Sequence, residues 1–252
     1  MAIGIDVFRE RFANYSDQYT IIGGMACELL MNEAALDFRA TRDIDMVLIV
    51  EALTNDFANE FWDFIKDGGY ECWSRKDAKP TFYRFVNPKV GNYPYMIELF
   101  ARPENSIQFE YKGHLAPIHF DDDISSLSAI LLNEEYYSFL LSGRKTAGGI
   151  SVLDALHIIP LKMRAWLDLQ RQKAEGNHVN EKDIRKHKQD VFRLYPLIDT
   201  KARIQVPDLV FSDIQVFIDE IAKSDFDLKS IHLPYDKNDI LSEYRSIYQK
   251  SI

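Results

Sequence analysis

Gly23-Gly24, then Arg39-Ala40-Thr41-Arg42-Asp43-Ile44-Asp45, then Met46-Val47-Leu48-Ile49-Val50 is the stretch on which the reading of this chain turns. A glycine pair closes the short apolar run at 19–22, and two aspartates one residue apart open a second apolar run. Side chains alternate across an extended strand, so Asp43 and Asp45 point the same way, about 6–7 Å apart along the strand. Two like charges sharing one site at neutral pH require a proton or a cation, and a strand end entering a cleft suits the cation. Glycines between a strand and a helix let the backbone come close to a ligand, where free N–H groups and the positive end of the helix dipole can hold phosphate oxygens. Singly, a tight turn and a solvated strand start explain these elements. Together they describe a phosphate cradle facing a cation site.

Working outward, phosphoryl chemistry on two divalent ions needs more than two carboxylates. Glu98, a lone acid in the apolar run Tyr95-Met96-Ile97-Glu98-Leu99-Phe100, is the candidate third, because a carboxylate is costly to bury unpaired.

The first half alternates strands and helices. A short amphipathic helix is expected over 7–15, a strand over 19–22, a helix over 25–33 and a strand over 43–50. Thr54 is a plausible N-cap for a helix whose Phe57, Phe61, Trp62, Phe64 and Ile65 form one stripe ending at Gly68-Gly69. Strands are expected over 70–74, 81–86, 95–100 and 114–119, with Tyr70, Trp73, Phe82, Tyr83 and Phe85 in the core. From 152 the pattern changes to helices over 152–173, 181–195, 206–222 and 236–250, with a kink or a new start at Pro160. Arg144-Lys145-Thr146-Ala147-Gly148-Gly149 is the linker candidate. The prediction is an α+β fold: a domain over 1–145 with a mixed β-sheet flanked by helices, then an α-helical domain over 146–252.

Composition bounds the function. With 252 residues, 46% hydrophobic and 27% charged, the chain has an ordinary globular make-up and no stretch of the ~20 apolar residues that span a bilayer. No secretory pattern opens the chain, and Cys27 and Cys72 suggest neither a disulfide framework nor a metal site, so a cytoplasmic location is expected. The six histidines show no zinc spacing, and Asp121-Asp122-Asp123 reads as a solvated turn. A net charge of -9 argues against a general polyanion-binding surface. Residues 162–193 nevertheless hold nine Lys or Arg against five acids, +4 there and -13 elsewhere.

The order of a Gly-Gly pair, an R-x-T-x-D-h-D-h segment, an h-E-h strand and a helical domain resembles the polymerase-beta-type nucleotidyltransferase superfamily. Arg39-Ala40-Thr41-Arg42-Asp43-Ile44-Asp45-Met46 and the long spacing from Gly24 are similar to its AbiEii-like group, which includes toxins of abortive-infection systems. Ile158-Ile159-Pro160-Leu161-Lys162 resembles that group's helix opening with a functional lysine. Lys186-His187-Lys188-Gln189-Asp190-Val191-Phe192-Arg193-Leu194 resembles its later K-x-D-h-x-x-L helix, with Asp183 competing with Asp190 for the acid. Residues 196–252 carry no such match.

The resemblance implies a nucleotidyltransferase fold and Mg²⁺-dependent transfer of NMP from an NTP to an acceptor hydroxyl. Asp43, Asp45 and Glu98 would form a two-metal site, with Glu98 also helping to deprotonate the acceptor. Gly23, Gly24, Arg39 and Thr41 would contact the nucleotide, Lys162 would neutralise departing pyrophosphate, and Lys188 and Asp190 would add nucleotide contacts. RNA, tRNA in particular, is the favoured acceptor, and a toxin or phage-defence role with a cognate antitoxin is implied. The alternatives are a small-molecule acceptor, as in antibiotic-modifying relatives, and a nucleotide- or partner-binding protein of the same fold without turnover.

Overall fold

A computed structural model describes residues 3–72, 83–102, 115–118 and 127–251, with backbone alone for 115–118 and 127–131. Trp73, Phe82, His114, His119 and the aspartates 121–123 lie outside the described residues. The chain divides into one unit of residues 1–137 and 144–153, and another of 138–143 and 154–252.

The first unit runs α1 (Ile5–Phe12), β1 (Tyr19–Ile22), α2 (Gly23–Glu33), β2 (Asp43–Leu48), α3 (Asn55–Gly68), β3 (Glu71–Cys72), β4 (Arg84–Val86), β5 (Met96–Ala101), β6 (Leu115–Ile118) and β7 (Leu127–Leu131). α4 (Glu134–Ser142) leads into the second unit, and the chain returns for β8 (Arg144–Ala147) and β9 (Ile150–Leu153). Among the described residues these strands form one mixed sheet, ordered β3-β4-β5-β2-β1-β9-β8, with β7 also on β5 and β6 on β7. β5 therefore takes β4 along its first half, opposite 96–98, and β7 along its second, opposite Phe100 and Ala101.

Aromatic side chains at helical spacing cover the sheet. Phe8 and Phe12 of α1 stack at 4.5 Å, Phe12 meets Phe57 of α3 at 5.7 Å, and Phe61 meets Phe85 of β4 at 5.5 Å. Such ring pairs add about 0.5–1.5 kcal/mol each beyond their buried area. The expected ends of α3 are present. Thr54 Oγ1 accepts the Phe57 N–H at 3.2 Å, and Gly69 closes the helix in the left-handed conformation, φ 65°.

The linker expected at 144–149 is instead a β-hairpin. Gly148 and Gly149 both have positive φ, 55° and 79°, which makes the two-residue turn between Ala147 and its partner Ile150. β9 then pairs in parallel with β1, so the sequence boundary near 145 falls inside a strand of the first unit's sheet.

The second unit contains α5 (Ala155–Ala174), α6 (Glu181–Arg193), α7 (Asp208–Lys223) and α8 (Lys237–Ile247). It also holds a two-stranded parallel sheet that helical periodicity did not predict, β10 (Ile204–Val206) with β11 (Tyr248–Lys250). The expected helix over 152–173 starts later, because Asp154 is its N-cap and accepts the His157 N–H at 2.9 Å. His157 ties the end of α4 to the start of α5, with Nδ1 2.7 Å from Asp154 Oδ1 and Nε2 3.1 Å from Ser142 Oγ.

No new helix begins at Pro160; α5 runs through it. Proline lacks the N–H that would reach the Leu156 carbonyl four residues back. The Tyr248 hydroxyl takes that place, donating to Leu156 O at 2.8 Å. Tyr248 is fully buried, and burial pushes its phenol well above the usual range, so it stays a donor. Tyr248→Phe should cost roughly 1–2 kcal/mol in urea unfolding by stranding that carbonyl. In a Pro160→Ala background, where a backbone N–H becomes available, the loss should shrink; an equal loss in both backgrounds contradicts this account.

Among the described residues, no helix is long and apolar enough to cross a membrane.

Candidate functional site

Four adjacent strands bring one residue each to a single cross-strand line. Ile22 of β1 lies opposite Asp45 of β2, Asp45 opposite Glu98 of β5, and Glu98 opposite Arg84 of β4. Residues directly opposite one another share a face of the sheet. Asp43, two positions before Asp45, shares that face too. The three acids read from the sequence therefore stand on one surface, at the end of the sheet where β1 delivers Gly23 into α2.

Gly23 is required there by close approach. Its φ is 69°, and a Cβ on it would lie 1.9 Å from Asp45 Oδ2. The carboxylate thus packs on the glycine Cα, beside the N-terminus of α2, whose N-cap residue Ile22 has no side chain able to cap it. The Cys27 thiol donates to the Gly23 carbonyl at 3.0 Å. A Cβ on Gly24 would meet Thr41 Oγ1 at 3.1 Å and Arg39 Nη2 at 3.3 Å. Thr41 and Arg39 are therefore folded back over the first turn of the helix.

Glu28 holds Thr41 there. This α2 residue is 6% exposed, and its Oε2 accepts the Thr41 N–H at 2.9 Å. An isolated acid in Gly23-Gly24-Met25-Ala26-Cys27-Glu28-Leu29-Leu30-Met31 carries the same signal as Glu98, a carboxylate that has to find a partner on burial. That signal marks Glu28 as a positioning residue that motif reading passed over.

Arg84 is the second residue that the motifs missed. Its Nε donates to Glu98 Oε1 at 2.7 Å, and its Nη2 also bonds that oxygen. Glu98 is 8% exposed, so the guanidinium supplies the compensation that a buried carboxylate requires. The sequence expectation was that cations would do this. Among the described residues no three His, Cys, Asp or Glu side chains are grouped to hold a metal ion. Asp43, Asp45 and Glu98 share a face without forming one ligand cluster, because Glu98 turns to Arg84. The Asp43–Asp45 pair beside the Gly23 backbone fits one hard divalent cation, which prefers carboxylate oxygen and keeps part of its water.

Lys162, Asp190 and Lys188 belong to the second unit. Lys162 of α5 is 4% exposed and Asp190 of α6 is 0% exposed, with Lys162 Nζ 3.1 Å from Asp190 Oδ2. Of the two competing acids, Asp190 is the buried one, whereas Asp183 lies in the first turn of α6. The resemblance implies a phosphate-facing Lys162; the geometry makes it half of a buried ion pair linking α5 to α6. Lys188 Nζ sits 4.3 Å from the Phe226 ring centre. Burial, with the nearby Arg185 and Lys237 cations, lowers its pKa.

No family model matches this chain, and no curated protein matches it. Among solved structures, it is similar to the crystal structure of an antigenic nucleotidyltransferase-like protein from Paracoccidioides brasiliensis. The identity is 14%, the TM-score 0.46, and the likeness covers 99% of this chain and 97% of that one. A likeness of that size carries no argument about activity, so the functional reading rests on the residues.

Proposed function

We propose that this chain is a metal-dependent nucleotidyltransferase that moves a nucleoside monophosphate from an NTP to an acceptor hydroxyl, with RNA as the favoured acceptor. The observation that carries the reading is the packing of the Asp45 carboxylate on Gly23, in register with Glu98. It joins a backbone cradle suited to phosphate with a carboxylate pair suited to a cation.

In this reading, the N–H groups at the start of α2 hold triphosphate oxygens, and Gly24 leaves room for Thr41 and Arg39 to add a hydroxyl and a guanidinium. Asp43 and Asp45 hold Mg²⁺, which when bound offsets charge on the triphosphate. Glu98, in register with Asp45 on the neighbouring strand, accepts the proton of the acceptor hydroxyl once its carboxylate leaves Arg84. The acceptor oxygen then bonds the α-phosphorus as the bond to the bridging oxygen breaks, and pyrophosphate leaves. The positions of Arg39 and Thr41 suit phosphate contact; Lys162 joins the chemistry only if it leaves Asp190.

The test is incubation with Mg²⁺ and each α-labelled NTP in turn, with total tRNA in one arm and a metabolite mixture in the other. Label is expected in RNA with at least one NTP and none in the presence of EDTA. Label confined to small molecules would replace RNA as the acceptor. No label in either arm would sink the enzymatic reading in favour of a nucleotide-binding protein.

A further inference from the structure

Cations line one face of α6. At 100° per residue, Lys182, Arg185, Lys186, Gln189 and Arg193 occupy an arc of about 100°, and Lys182 to Arg193 spans ~16 Å along the axis. Lys182 and Arg185 are exposed, and Lys186 and Arg193 half-buried. Lys182, Arg185 and Lys186 make no ion pair among the described residues, and Arg193 only approaches Asp190, at 3.9 Å. The rest of the chain carries the opposite charge, since the -9 total leaves -13 outside 162–193. Beside this face, burial first and then the Arg185 and Lys237 cations lower the pKa of Lys188.

We infer that the outer face of α6, formed by Lys182, Arg185, Lys186 and Arg193, is a docking surface for the phosphate backbone of an RNA strand. The inference rests on the RNA-acceptor reading above and names the surface that holds the acceptor. The arc has no aromatic or aliphatic residue, so it lacks the desolvated anchor on which protein partners depend. A membrane surface does not suit it either. The apolar face of α6 is spent within the unit, with Ile184, Val191 and Phe192 buried and Phe192 5.5 Å from Phe226. A row of four cations around a glutamine, three of them without an ion pair among the described residues, suits sequence-independent phosphate contact.

Fluorescence anisotropy of a short labelled single-stranded RNA, titrated at several salt concentrations, tests this. Charge reversal with K182E/R185E/K186E should weaken binding roughly tenfold or more and flatten the log–log salt slope by about 2, from ~0.7 per lost contact on a single strand. The neutral K182Q/R185Q/K186Q variant should flatten it similarly, and thermal melting checks that both remain folded. Lys201→Glu, exposed in the same unit but off this face, should leave binding unchanged. Unchanged affinity in the triple variants, an equal loss with Lys201→Glu, no RNA binding by the parent chain, or displacement by polyglutamate as readily as by RNA would each overturn the assignment. Asp45→Asn separates the two readings: it should abolish transfer and keep RNA binding. If RNA is labelled normally by the triple variants, the surface is wrong and the enzymatic reading stands. If RNA binds through this face but is never labelled, the reverse holds.

Discussion

Transfer by Asp45→Asn is expected to fall by about 10³-fold or more, with no loss of thermal stability. The amide keeps the shape that packs on Gly23 but removes half of the charge that draws a divalent cation. Its melting temperature should match or exceed the parent's, because Asp43 and Asp45 repel each other on one strand face. Gly23→Ala reaches the same site by another route. Its methyl would lie 1.9 Å from Asp45 Oδ2, so the carboxylate has to move. A displacement of about 1 Å costs roughly 10² in rate, and the left-handed backbone adds about 1–2 kcal/mol of strain for a residue with a Cβ. Gly23→Ala should therefore lose both activity and stability, whereas Asp45→Asn loses activity alone. Single-turnover incorporation of labelled nucleotide, read beside the melting curve, separates them. More than a tenth of the parent rate in Asp45→Asn would remove that carboxylate from the chemistry.

Asp190→Ala is expected to destabilise the protein by about 3–5 kcal/mol, because it removes the carboxylate that balances the buried Lys162 ammonium. Replacing both groups by apolar ones, Lys162→Met with Asp190→Leu, should restore most of the stability, since neither charge then has to be desolvated. Urea unfolding measures both effects. A cost under about 1 kcal/mol for Asp190→Ala would mean that the pair is solvated or exchanges partners. The double variant also settles what Lys162 does. Stability restored with transfer intact makes the pair a structural link between α5 and α6. Stability restored with transfer abolished returns Lys162 to the phosphate-facing role that the resemblance implies.

Much of the first unit was legible in the sequence because its signals are local. The strands expected over 19–22 and 43–50, the Thr54 cap and the Gly69 stop each need only a few neighbouring residues, and each is present, the second strand ending at Leu48. The same locality misled at two points. Gly148-Gly149 reads as a linker by composition, yet the strands on either side make it a hairpin turn. Pro160 reads as a helix break, yet a hydroxyl from Tyr248 supplies the hydrogen bond that proline cannot. The small sheet of β10 and β11 joins segments more than forty residues apart, beyond the reach of periodicity.

The site divides along the same line. Sequence alone determined which residues could bind phosphate and a cation: glycines where the backbone must come close, and acids spaced by two so that a strand presents them together. Tertiary structure alone decided how their charges are balanced. Arg84 meets Glu98 across a strand pair, Glu28 reaches forward from α2 to fix Thr41, and Asp190 is buried against Lys162. An ion pair or a buried hydrogen bond depends on which groups lose water together, and that is set by packing between segments far apart in the chain.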